Sequence, residues 1–340
     1  MSSLSLYAVE LDEPTRGAVL ARALLESART SQRALLVAYA LPGDVLVLGR
    51  YHVVPPAREA AEVEITRRLC GGRAAPLGRG FVGLALALPH RNALVAPAAP
   101  PLGPAQILNR NVRGLLGALE GLGVRAYYPG RDLITVDGRV IASLGFEVCP
   151  DGAVLIEMAL AVGRSFADRS RFADVADPAG VVPMDVLLPD QGSCVAELTG
   201  RTPSLEAIVG ALSTGYADRM GVEVARCEPL AMPPVDPTWL VQGRLSPRLD
   251  RHATMRAMLG VIEVHVACDG AVITDLRVCG DLIAPASTVA TIEAALRGAP
   301  VDRDGLRQRV ADAVARDGGF ILGLQTVESI GDLVAEACRS

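Results

Sequence analysis

The stretch ITVDGRVIASLGFE, residues 134–147, places β-branched and apolar residues on both sides of an Asp-Gly pair at 137–138, which is the pattern of a two-residue hairpin. A second Asp-Gly pair at 151–152 follows, and then the apolar run AVLIEMALAV, residues 153–162. Two tight turns in succession predict antiparallel pairing rather than a strict alternation of strand and helix. Upstream, ALLVAYA (34–40), DVLVLGR (44–50) and FVGLALALP (81–89) read as further strands. Helical spacing appears from about Glu13 to Arg29, in AQILNRNVRGLLGALEGLG (105–123) and in SLEAIVGALSTGYADRMG (204–221). The class is α+β, with a mixed or antiparallel sheet flanked by helices.

Proline marks the division of the chain. CEPLAMPPVDP, residues 227–237, has four prolines in eleven residues and reads as a semi-rigid linker. We therefore expect a larger domain over residues 1–228, a linker over 229–237 and a smaller domain over 238–340. The smaller one shows a hairpin turning at Asp269-Gly270, followed by the helices ASTVATIEAALRG and RDGLRQRVADAVARD. The Pro- and Ala-rich stretch at 96–106 reads as a loop before a helix.

The 340 residues include no lysine, so all thirty-three basic side chains are arginine. Chemistry that needs a side-chain amine is thereby excluded, because a guanidinium is fixed in charge, planar and forked. A net charge of −5 and 4% aromatic residues supply neither a basic footprint nor stacking platforms, so no nucleic-acid partner is expected. No apolar run approaches the ~20 residues of a membrane helix, and the first residues lack the pattern of a secretion signal. A cytoplasmic protein with no membrane partner is expected. The seven cysteines are odd in number and lack a C-x-x-C pair, which predicts reduced and mostly buried thiols.

The segment EITRRLCGGRAAPLGRGFVGLALALP, residues 64–89, joins two arginines to a glycine-rich turn and an apolar strand. Such a loop can fold its backbone closely over a ligand while an arginine meets a phosphate or carboxylate. It also fits a plain hairpin connection with solvated arginines.

Taken in order with DVLVLGRYH, the 134–147 hairpin and the C-terminal segment around Gly280-Asp281, this loop gives the chain a resemblance to the lipoate-protein ligase family of the biotin and lipoate ligase superfamily. The resemblance implies a ligase-type catalytic domain followed by an accessory domain. It further implies binding residues at Arg50, Arg67, Arg68, Cys70, Gly71, Gly72, Arg73, Arg131, Asp132 and Val140, with Arg73 and Asp132 as the catalytic pair. Activity of this type would use ATP with Mg2+ and a small carboxylic acid, and would pass the acyl group to a lipoyl-domain protein or another amine acceptor.

The sequence departs from the family pattern inside the pocket. Arg73 replaces the third glycine, Leu77-Gly78 stand for a His-Asp pair, and Arg131 replaces an asparagine. Val140 occupies the place of the lysine that bridges the acyl carboxylate and the α-phosphate, and Ile156, Glu157 and Met158 replace a glycine and a histidine. Two anions brought together need a bridging cation. Loss of one partner from a buried charged pair costs about 3–5 kcal/mol, so a reaction other than ordinary lipoate ligation is expected. Arg73 either takes over the lysine's role or fills the pocket. The alternative to an enzyme is a catalytically silent homologue that binds a lipoyl-bearing protein or a sister ligase.

Overall fold

A computed structural model describes residues 2–53, 63–95, 100, 102–167, 192–234, 239, 246, 248–316 and 318–339. Part of the expected linker, residues 235–237, lies outside them, as do 96–99 and 101 of the Pro- and Ala-rich stretch.

The hairpin of residues 134–147 forms as expected from its sequence. β7 (Leu133–Val136) and β8 (Arg139–Val148) pair antiparallel, and Asp137 and Gly138 have φ of 49° and 79°, the two positive values that this turn demands. β9 (Val154–Ala161) then pairs antiparallel with β8 after the second Asp-Gly turn. Among the described residues these strands belong to a seven-stranded sheet. Its order is β10 (Glu223–Arg226), β1 (Ser3–Glu10), β2 (Ala34–Ala40), β6 (Phe81–Leu88), β9, β8, β7.

The sheet is mixed because β1 pairs parallel with both β2 and β10, which the turn signals could not reveal. The parallel step from β1 to β2 is made by helix α1 (Arg16–Ser31), the crossover that such a pairing requires. β6 and β9 are buried along their whole length, which explains why FVGLALAL shows no alternation. Helices α2 (Pro104–Gly121) and α4 (Leu205–Met220) cover one face, through Leu115, Leu119, Leu212 and Tyr216. On the other face α1 contributes Leu20 and Leu24, beside the short α3 (Val195–Thr199).

DVLVLGR does not enter the large sheet. It forms β3 (Val45–Leu48) at the centre of a separate three-stranded sheet, between β4 (Glu64–Arg67) and β5 (Ala75–Leu77). This small sheet carries the arginine-glycine loop, residues 68–73, which connects β4 to β5.

The C-terminal hairpin is β12 (Gly260–Asp269) with β13 (Val272–Gly280), joined by β11 (Arg251–Ala257). His252 lies exposed on β11 and stacks on His265 at 5.7 Å. Helices α5 (Ala286–Leu296), α6 (Arg303–Arg316) and a further α7 (Ser329–Ala337) pack on this sheet around Ile262, Val264, Ile292, Val310 and Val334.

The C-terminal elements meet the rest of the chain through defined polar contacts. His52 Nδ1 accepts from the Gly49 N–H at 2.8 Å, which puts the ring proton on Nε2, 2.8 Å from Asp281 Oδ1. Asp281 Oδ2 accepts from Val261 N–H, and the Tyr51 hydroxyl donates to the Ala284 carbonyl at 2.7 Å. The Ala286 N–H at the start of α5 donates to Glu147 Oε1 at 2.8 Å.

Burial pushes the Glu147 carboxyl up to about 7, against the pull of Arg50 and of the Ala286 N–H. A carboxyl raised in the folded state holds its proton where the unfolded chain has released it, so the contribution of Glu147 to stability is fully present below pH 4.5 and is lost as pH rises through about 7. Glu147→Gln keeps the acceptor for Ala286 and removes the titration. Urea unfolding at pH 5 and pH 8 should show the native protein losing up to about 3 kcal/mol more than the variant across that interval. Equal losses in the two proteins would contradict this assignment.

Candidate functional site

The site forms where the arginine-glycine loop lies over β8 and β9. Side chains alternate along an extended chain, so adjacent Arg67 and Arg68 leave β4 in opposite directions. Arg68 turns towards the large sheet, where its guanidinium lies beside Gly72 and Gly145 and donates to the Arg73 carbonyl at 2.9 Å. Arg67 turns the other way, and its Nη1 donates to the carbonyls of Gly49 and Arg50 at 3.0 and 2.7 Å. Arg50, at the end of β3, donates to the Leu69 carbonyl and stacks over Trp239 at 5.2 Å.

The glycines of the loop permit backbone-to-backbone contact. A Cβ on Gly71 would collide with the Leu282 carbonyl oxygen, and one on Gly145 would collide with that of Gly71. The Gly72 N–H donates to the Leu282 carbonyl at 2.7 Å. In this arrangement the turn after β13 therefore covers the loop, where the sequence alone suggested a ligand beneath it.

Arg73 and Asp132, fifty-nine positions apart, are brought together: Arg73 Nε donates to Asp132 Oδ2 at 2.8 Å. The aspartate is fully buried, with a side-chain exposure of 0% against 12% for the arginine, and its Oδ1 has no partner. Burial raises the Asp132 carboxyl while Arg73, by charge and by hydrogen bond, pulls it down. Arg131 is exposed and has no role in this pair. Val140 is buried in the apolar cluster that includes Leu69, Leu155 and Phe166, and its carbonyl accepts from the Ser193 N–H at 2.9 Å.

Cys70 is packed inside the loop, as its size suggested. Its N–H donates to Glu157 Oε2 at 2.8 Å and its thiol to the Leu155 carbonyl at 3.3 Å. Burial raises this thiol well above its ordinary range, with Glu157 adding to the effect, so it does not serve as a thiolate nucleophile.

Sequence reading noted Glu157 only as a departure from the family pattern and gave it no role. It is a buried carboxylate on the sheet face beneath the loop, raised by burial and held down by Arg68 and by the Cys70 N–H. The available signal was a lone charge inside the apolar run AVLIEMALAV. Asp281 and His52, which fasten the covering turn, were noticed singly, and only the fold pairs them. Among the described residues no group of three or more His, Cys, Asp and Glu is placed to hold a metal ion, and no helix is long and apolar enough to cross a membrane.

Arg73→Met should leave the buried Asp132 carboxylate without its cation, at a cost of about 3–5 kcal/mol near neutral pH. Loss of the arginine raises the folded-state carboxyl further, so the deficit should shrink as the pH is lowered and Asp132 binds a proton. Denaturation of the variant at pH 7.5 and pH 5 tests this. A deficit that stays constant or grows on acidification would show that the pair contributes no charge stabilisation.

Comparison with known proteins bears on the whole arrangement. The family model described as "Bacterial lipoate protein ligase C-terminus" matches residues 246–318. No curated protein matches the chain. Among solved structures, LipL1 of P. falciparum in complex with lipoate superposes with a TM-score of 0.67 at 11% identity, covering 98% of this chain and 99% of that one. A lipoate-protein ligase A bound with ATP gives 0.50 at 14% identity, over 66% and 88% of the two chains. The bipartite lipoate protein ligase of Thermoplasma acidophilum, described with its E2 lipoyl domain, gives 0.50 at 14% identity over 67% and 87%. The chain thus has the lipoate-protein ligase fold, and its residues 246–318 match the model of that family's C-terminal domain.

Proposed function

We propose that this protein is a lipoate-protein ligase-like enzyme that activates a carboxylic acid with ATP and passes the acyl group to an acceptor, the acid being other than lipoate. The carrying observation is the Arg73–Asp132 contact at 2.8 Å. Asp132 takes the Nε–H of Arg73, and a guanidinium has four further N–H donors at its Nη end. A guanidinium held in this way keeps the edge that binds an oxyanion in bidentate fashion. Asp132 is then the positioning residue, and Arg73 is the cation that replaces the lysine absent at Val140.

In this reading a carboxylate oxygen attacks the α-phosphorus of ATP, and the bond from that phosphorus to the bridging oxygen breaks. Pyrophosphate leaves with the electron pair. An acceptor amine then attacks the acyl carbon, AMP departs and the amine loses its proton. Arg73 stabilises the charge that gathers when the two anions meet. The structural relatives include one described with lipoate, one with ATP and one with a lipoyl domain, which supports an acid, a nucleotide and a lipoyl-type acceptor as the classes to test.

The buried, unpartnered Oδ1 of Asp132 is a single oxygen ligand. Mg2+ is commonly held by one or two carboxylates together with substrate phosphates, so this atom fits an ion that arrives with the nucleotide. The Gly72 N–H bond to Leu282 sets the turn 281–285 against the loop that carries Arg73, so in this reading the turn moves when the nucleotide binds. The same covering favours a second reading, a silent homologue whose closed loop face serves a lipoyl-bearing protein or a sister ligase.

Calorimetry with ATP, with and without candidate acids, separates the two. Binding that is abolished by Arg73→Gly and partly restored by adding Val140→Lys fits the enzyme, because residues that share one ligand are coupled. Binding that appears only after Arg73→Gly fits a plugged, silent pocket. Ordinary lipoylation of an apo lipoyl domain should be absent or very weak, and a rate typical of lipoate ligases would remove Val140 from the argument. If neither the single changes nor the double moves affinity by more than about twofold, or ~0.4 kcal/mol, the pocket assignment fails.

A further inference from the structure

A second cationic site lies on the opposite side of β4 from Arg68. A cavity of about 190 Å³ opens between the small sheet and the C-terminal elements, lined by Arg50, Arg67, Arg277, Trp239, His52 and Glu293 among others. Three guanidiniums thus meet one carboxylate there.

Arg67 is the decisive residue. It is 1% exposed, and its Nε and Nη2 have no hydrogen-bond partner. Its Nη1 meets two backbone carbonyls but no carboxylate. The one acid on the wall is engaged elsewhere: Glu293 Oε1 accepts from the Val278 N–H at 3.0 Å, and Oε2 lies 3.7 Å from Arg297 Nη2. His52 is committed to Gly49 and Asp281. Burial and the neighbouring Arg277 and Arg50 lower the Arg67 guanidinium to about 10, against an opposing pull from Cys279. A buried charge without a counter-ion costs several kcal/mol, and the fold gains nothing from it unless an anion repays that cost.

We propose that this junction cavity is a binding site for a small inorganic phosphoanion, phosphate or pyrophosphate, held by Arg67 together with Arg50 and Arg277. A planar guanidinium with two unmet nitrogens, Nε and Nη2, matches two oxygens of such an ion. The volume corresponds to that of several waters, at about 30 Å³ each in the liquid, which suits a small anion. Arg50 and Arg67 come from the N-terminal part of the chain and Arg277 from β13, so the anion ties the two parts together. Occupancy therefore favours the covered state of the arginine-glycine loop, because the turn that follows β13 is the one lying on Gly71 and Gly72. The site is separate from Arg73 and Asp132, and its test does not depend on adenylating activity.

The experiment is calorimetric titration of the full chain with sodium phosphate and with sodium pyrophosphate at fixed ionic strength, with sodium acetate as the carboxylate arm and thermal unfolding run in parallel. Saturable binding of one phosphoanion per chain with a raised unfolding midpoint is expected, tighter for whichever of the two ions is the ligand. Arg67→Met and Arg277→Met should each weaken it at least tenfold, whereas Arg316→Met, exposed at the end of α6, should leave it unchanged. Should Arg67→Met fail to fold, Arg277→Met tests the site from the other wall. No saturable binding of either phosphoanion would overturn the proposal, as would equal affinity in Arg277→Met and native protein, or acetate binding as tightly as both. Loss of binding in an Arg73→Met protein that circular dichroism shows to be folded would also overturn it by placing the anion at the other site.

Discussion

Three backbone segments touch the arginine-glycine loop without intervening side chains, and much of the structure is arranged around those contacts. Gly49 at the end of β3 lies against the Gly72 carbonyl, Gly145 of β8 against that of Gly71, and Gly71 against that of Leu282. A methyl group at Gly49, Gly71 or Gly145 would drive the small sheet, the large sheet and the C-terminal elements apart, because interiors pack too densely to absorb it. Close approach has a second effect: it fixes which side chains can share the space left around the glycines. Arg68 sits beside Gly72 and Gly145, while Arg67 can only turn away, into the junction with β13 and α5.

Opposite directions for two adjacent arginines give the molecule two electrostatically distinct sides. On the sheet side each cation has a carboxylate close by, Glu157 for Arg68 and Asp132 for Arg73, and every one of those acids is buried. On the junction side Arg67 is as deeply buried but has only carbonyl oxygens. Buried pairs stabilise less than their Coulomb attraction suggests, because both ions must leave water; a buried ion without a partner is worse still. On the sheet side each cation is therefore offset by a buried carboxylate, whereas Arg67 on the junction side is not, and that is the charge an anion would complete.

Much of the fold was legible because it is local. The Asp137-Gly138 turn is written in two residues, and it fixed the antiparallel run from β7 to β9. The parallel pairing of β1 with β2 and β10 was not legible, since no short signal marks which distant strand will lie alongside. In the site, the neighbourhood of Arg73 and Asp132 followed from the resemblance in segment order. What they do to each other did not, because a contact across fifty-nine residues depends on the loop's path. Nor did sequence show that Leu282 would cover the glycines, as a backbone carbonyl leaves no trace in residue identity. The His52–Asp281 contact was hidden for a similar reason: 229 positions separate the two residues, and no local pattern links them.

A chain with no lysine constrains how such a pocket can be built. A lysine at position 140 would project a compact, strongly hydrated charge from the strand itself, and its flexible stem would find the oxyanion without help. An arginine on a loop is a larger, planar group whose usefulness depends on orientation, so it must be held by something. Asp132 is that hold, with one oxygen on Nε and the remaining N–H groups left at the far end. Such a device works only where the aspartate stays ionised, yet Asp132 is fully buried and its carboxyl is raised by that burial. Arg73 and Asp132 are therefore interdependent. The arginine pulls the carboxyl down against its burial, the aspartate holds the arginine's orientation, and in the proposed site loss of either would remove the role of both.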